Sequence, residues 1–103
     1  MATLVIYDIP EDKVRNRIAE VCKDYGLARI QWSAFLGELN LNRRQELAQR
    51  LRRTVGGKEG NIQIYPICDK DLHLKVEIGQ SIAHGPDPGA AERILVGKKA
   101  RAG

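Results

Sequence analysis

The chain has 103 residues, 43% of them hydrophobic and 29% charged, with a net charge of +4 and a pI of about 9.3. That is enough for one domain with a packed core and too little for two. No apolar run approaches the roughly 20 residues needed to cross a bilayer, and the N-terminus lacks the basic start and cleavage pattern of a signal peptide, so a cytoplasmic protein with no membrane contact is expected.

Thr3-Leu4-Val5-Ile6-Tyr7-Asp8-Ile9-Pro10 reads as a strand that carries one carboxylate, Asp8, to its tip. A carboxylate there needs a cation, hydrogen bonds or solvent to compensate it. Two readings follow, a metal ligand or a turn residue binding the amides of the next helix. Pro10 suits the first helical position, and Glu11 and Asp12 suit the positive end of the helix dipole. Val14, Ile18, Val21, Cys22 and Tyr25 then mark one buried helical stripe, which Gly26 ends.

From Ala28 to Leu36 the period changes to two, which predicts one strand. Ala28, Ile30, Trp32, Ala34 and Leu36 form its buried face, and Arg29, Gln31, Ser33 and Phe35 its polar, partly aromatic one. After a turn, Asn40 or Asn42 caps a second helix running to about Val55, with Leu47, Ala48, Leu51 and Val55 inward and Gly56-Gly57 ending it. Between Arg43 and Lys58 stand six basic residues (Arg43, Arg44, Arg50, Arg52, Arg53 and Lys58) and one acid, Glu46. Such a stripe can track phosphates or simply face solvent.

Asn61 to Ile67 reads as a strand near a sheet edge, because Pro66 cannot donate to a ladder. Leu72, Leu74, Val76 and Ile78 alternate with His73, Lys75 and Glu77, which predicts a last strand. Residues 1–79 are therefore expected to form one domain, and 80–103 a basic tail that is mobile or docks on a partner. Cys22 and Cys68 are far apart with no CxxC pair, so two buried free thiols are expected rather than zinc ligands. Helices on one face of such a sheet make an α+β sandwich of the ferredoxin-like βαββαβ type, with an extra C-terminal strand. The uncovered sheet face and the extra strand point to a homodimer.

With these elements placed, the chain resembles the family of CRISPR-associated protein two, the small dimeric partner of the integrase in spacer acquisition. The resemblance is carried by Val5-Ile6-Tyr7-Asp8-Ile9, Asp12-Lys13-x-Arg15-Asn16-Arg17, Tyr25-Gly26-Leu27-x-Arg29-Ile30-Gln31-x-Ser33-x-Phe35-x-Gly37 and Ile64-Tyr65-Pro66-Ile67-Cys68. It implies a ferredoxin-like fold, a homodimer, and a metal-dependent nuclease acting on RNA or DNA. The family's metal-binding aspartate falls on Asp8, with Tyr7, Arg15, Arg17, Arg29 and Phe35 on supporting positions and Ser33 beside them.

Magnesium, or manganese, takes oxygen ligands from one or two carboxylates and substrate phosphate. One chain offers a single strand-tip carboxylate, so two copies of Asp8 converging at a dimer axis would complete a site. The arginines are expected to hold backbone phosphates, and Phe35 to pack on sugar or base. Neither His73 nor His84 is assigned a role. The alternative is a scaffold that bridges integrase subunits and holds prespacer DNA. An RNA-recognition module is disfavoured, because Asn61–Ile67 lacks that fold's aromatic signature.

Overall fold

The structure, a computed structural model, describes residues 1–79, and the expected tail at 80–103 lies outside the described residues. The apolar run at the start of the chain forms strand β1 (Ala2–Asp8). Thr3, Val5 and Tyr7 are buried while Ile6 and Asp8 are exposed, so β1 has a helix-facing side and an open side. Helix α1 (Asp12–Asp24) buries Val14, Ile18, Ala19, Val21 and Cys22. Its N-cap is Glu11, so Pro10 lies one position before the cap rather than in the first turn. Gly26, at φ +81, takes the left-handed turn that lets the chain reverse into the sheet.

The chain continues through β2 (Ala28–Gln31), β3 (Ala34–Glu38), α2 (Leu41–Val55), β4 (Asn61–Ile67) and the short α3 (Asp69–His73). Asn40 caps α2, its side chain accepting from the Arg43 N–H at 2.8 Å. The sheet order is β2-β3-β1-β4 with every neighbouring pair antiparallel, so β1 is central and β4 lies at an edge, as Pro66 anticipates. Both helices lie on one face of the sheet. The core between them joins Val5, Tyr7 and Phe35 to Ile18 and Cys22 of α1 and to Leu47 and Leu51 of α2.

Several expectations are corrected. The strand expected over 28–36 is two strands joined by a turn at Trp32-Ser33, with a register shift between Arg29 and Gln31. Its buried face is the opposite one. Phe35 sits opposite Val5, and directly opposed residues share a side, so Phe35 (0% exposed) and its partner Arg29 (9%) turn toward the helices. Burying a phenyl ring outweighs burying Ala34 or Ala28. Trp32, expected in the core, is 59% exposed at the turn.

The strand expected over 72–78 is replaced by the end of α3 and an irregular stretch in which Leu74, Val76 and Ile78 are exposed. A strand needs a neighbouring edge for its backbone groups, and among the described residues nothing pairs with this one. Cys22 is buried as expected, whereas Cys68 is exposed.

Candidate active site

Asp8 ends β1 on the open side of the sheet, opposite Asn61 of β4. Among the described residues its side chain has no hydrogen bond or ion pair, so the turn reading, in which it would bind helix amides, is not the one adopted. The backbone behind it is tightly fitted. Gly60, at φ +143, approaches so closely that a Cβ there would meet the Ile9 side chain and lie 3.1 Å from the Asp8 carbonyl oxygen.

Arg15 reaches back from the first turns of α1, its guanidinium donating to the Ile9 carbonyl at 3.5 Å and pairing with Asp12. The pairing with an acid of its own helix is thus present, yet Arg15 stays at the Asp8 end of the sheet. Its charge also acts on the Tyr7 phenol. Arg17 stands two residues on, about 200° around the helix, and is exposed away from this cluster.

Beneath Asp8, on the helix side, Tyr7 stacks on Phe35 with ring centroids 6.4 Å apart and planes at 19°. The Arg29 guanidinium lies 5.1 Å from the Phe35 ring centre and 5.7 Å from that of Trp32. Its Nε has no hydrogen-bond partner. Aromatic faces and the Tyr7 phenol therefore surround a charge that burial would otherwise make costly. Burial pushes the Tyr7 phenol above its ordinary value, an effect that the Arg29 charge partly offsets. Burial also pushes the Cys22 thiol up to about 12, again against the Arg29 charge. The Tyr7 N–H donates to the Ser33 carbonyl at 3.0 Å and so ties the β2–β3 turn to the residue before Asp8.

The structure thus gathers Tyr7, Asp8, Arg15, Arg29, Ser33 and Phe35 at one end of the sheet and leaves Arg17 apart. Phe35, expected against a sugar or base, is sealed in the core, because its strand register places it opposite Val5. Two members went unread in the sequence. Trp32 was hidden by a turn with no glycine or asparagine to announce it, and Cys22 was visible only as core.

Among the described residues no three His, Cys, Asp or Glu side chains cluster as a metal-binding set. The donor available is the accessible Asp8 carboxylate. A carboxylate oxygen open to phosphate and water is the kind of ligand that magnesium takes.

An open-faced antiparallel sheet, two helices on its other side and an acidic tip on its central strand define a small α+β protein of the ferredoxin-like class. The model of the family described as CRISPR associated protein Cas2 matches residues 1–73. A protein of Desulforudis audaxviator called CRISPR-associated endoribonuclease Cas2 is 51% identical over 100% of both chains. The crystal structure of Streptococcus pyogenes Cas2 matches with a TM-score of 0.66 at 25% identity, over 77% of this chain and 100% of that one. A CRISPR-associated endonuclease Cas1/endonuclease Cas2 fusion of Thermoproteus tenax is 40% identical over 76% of this chain and 30% of its own length. The chain belongs to the Cas2 family of CRISPR-associated proteins.

Proposed function

We propose that this chain is a divalent-metal-dependent endonuclease that hydrolyses phosphodiesters of RNA or DNA, acts in CRISPR spacer acquisition, and works as a homodimer in which both copies of Asp8 serve one site. The observation that carries the reading is Asp8 itself, an exposed strand-tip carboxylate without an internal partner among the described residues, with Arg15 and the buried Arg29 at the same end of the sheet. The endoribonuclease name of the Desulforudis audaxviator relative supports it.

Asp8 of each subunit would hold magnesium or manganese, which when bound supplies Lewis acidity and charge neutralisation at the phosphoryl group. Arg15 is placed to hold a neighbouring backbone phosphate, and Arg29, through Tyr7 and Phe35, fixes the strand from which Asp8 projects. The homodimer is supported by apolar surface that one copy leaves exposed, Ile6 and Tyr65 on the open sheet side together with the alternating Leu74, Val76 and Ile78. The unpaired outer edge of β4 offers such a segment a place to add as a strand.

The test is hydrolysis of labelled RNA and DNA by the purified chain with magnesium, with chelator, and with Asp8→Asn. Cleavage only by the native chain with metal is expected, and cleavage that persists in the variant sinks the assignment. The Cas1/Cas2 fusion favours a second role, bridging integrase subunits and holding DNA in a complex of the two proteins. Spacer acquisition in cells carrying Asp8→Ala separates the two roles, because a pure scaffold leaves it at the native level.

A further inference from the structure

We propose that the C-terminal segment of this chain, Arg93 to Arg101, docks back on its own domain, in the acid-rimmed cleft between α3 and the open side of the sheet. The inference goes beyond the nuclease reading and does not depend on it, because the cleft lies at the other end of the sheet from Asp8.

The start of β1, the end of β3 and α3 build the cleft. Ala2, Leu36 and Leu72 form its floor, Glu38, Asp69 and His73 line its rim, and its volume is about 340 Å³. Ala2 pairs with Glu38, six positions before Asp8 on the same side of β1, which places the cleft about 20 Å along the strand from the Asp8 tip. Leu36 and Leu72 are half-buried, so the floor keeps apolar surface that nothing among the described residues finishes covering. In a chain of net charge +4 this rim has the opposite sign to the whole. Asp69 has no ion pair among the described residues, and Glu38 meets the N-terminal ammonium at 3.5 Å in an exposed contact that is cheap to exchange. Glu38, Asp69 and His73 do not form a metal-binding group, so the rim suits cations spread along a chain.

Residues 80–103 supply an occupant of matching chemistry. Ile94-Leu95-Val96 is an uninterrupted apolar run, and from Arg93 onward the side chains carry four cations (Arg93, Lys98, Lys99 and Arg101) and no carboxylate. Apolar side chains on the floor and flanking cations at the carboxylate rim satisfy both halves of that pattern. A phosphate backbone would use the cations but leave the three apolar side chains in water, and the other cleft, between α2 and β4, presents Arg52 in place of acids. The chain is long enough to return. Ile94 lies 21 positions beyond His73, about 70 Å when extended, and Gly85-Pro86 and Pro88-Gly89 place turn-forming pairs within that span. A tethered segment meets its cleft at an effective concentration on the order of millimolar, so modest contacts suffice.

Cys68 precedes Asp69 at this rim and is exposed, whereas Cys22 is buried, so the native thiol at 68 can report the docking. The full chain carrying Gly97→Cys is oxidised in native buffer and in urea, and closure of a disulfide between Cys68 and the introduced thiol is followed by mass. The readout is the ratio of the native rate to the urea rate, which cancels the local reactivity of the thiols. Intrachain closure is expected to be about tenfold faster in native buffer. Lys98→Glu with Lys99→Glu should bring the ratio to about one, and adding Glu38→Lys with Asp69→Lys should restore it by reversing both partners. A ratio of about one in the first chain, a ratio indifferent to the charge reversals, or a disulfide that joins two chains instead of closing one overturns the inference. Unchanged closure together with about tenfold weaker binding of a labelled oligonucleotide by Lys98→Glu with Lys99→Glu assigns the segment to nucleic acid and also overturns it. None of these outcomes bears on hydrolysis at Asp8, so the nuclease reading stands or falls separately.

Discussion

Replacing Phe35 with leucine separates the two roles that its position admits. In the structure Phe35 is 0% exposed, stacked on Tyr7 and covered by Arg29, so it serves the fold and touches no substrate. Truncating a buried Phe to Ala costs about 3–5 kcal/mol, and leucine restores half of the lost carbons, which leaves about 2 kcal/mol. Loss of the aromatic pair adds about 0.5–1.5 kcal/mol, so the expected destabilisation is about 2.5–3.5 kcal/mol. An ordered domain of this length holds about 4–12 kcal/mol in all, so the variant stays folded in the cold but melts about 10–28 °C lower. Thermal and urea unfolding give the first quantity. Oligonucleotide affinity, measured well below the lowered Tm, gives the second and is expected to equal that of the native chain. A variant as stable as the native chain that has lost tenfold in affinity would refute the reasoning, because Phe35 would then be contacting the strand.

The raised Cys22 thiol and Tyr7 phenol predict a loss of stability in alkali. Above about pH 9 the unfolded thiol releases its proton while the native one holds it to about 12, so the native state binds more protons and stability falls across that window, by up to about 1.4 kcal/mol per pH unit for each group. Urea midpoints against pH should show this slope, and Cys22→Ala should flatten it; an unchanged slope assigns the effect elsewhere. Gly60→Ala forces a side chain into a left-handed position against Ile9 and the Asp8 carbonyl, and should cost about 1–3 kcal/mol and lower nuclease turnover. A neutral result in both assays would show that the β4 entry does not brace the Asp8 tip.

Much of the fold was legible because periodicity reports burial wherever an element has one buried side. The stripe of α1 and β4 are where the pattern puts them, and of the two candidate asparagines it is Asn40 that caps α2. The β2–β3 hairpin was not legible, because Ala28 to Leu36 alternates without interruption and only the pairing of Phe35 with Val5 decides which side is inner. The stretch after Leu72 carries a strand's alternation, yet alternation states a capacity, and the backbone adopts it only where an edge is on offer. At the site, the Asp8 tip and the arginine types could be read from the chain. The sandwich of Arg29 between Phe35 and Trp32 could not, since it depends on that same choice of inner side.

The basic stripe of α2 takes a different meaning once its partners are known. Arg50 approaches Asp24 at 3.6 Å, Arg43 approaches Glu46 at 3.2 Å, and both lie over the Tyr25 ring. Lys58 reaches Glu11 at 3.7 Å, and Arg44 is half-buried. Among the described residues, only Arg52 and Arg53 of the six are exposed and outside any ion pair. Counterion release follows the charges free to meet phosphate, at about 0.9 of a logarithmic unit in salt for each. Laid against a duplex, this stripe would contribute a slope of about 2 to the salt dependence of binding, not the slope of about 5 that six free cations would give.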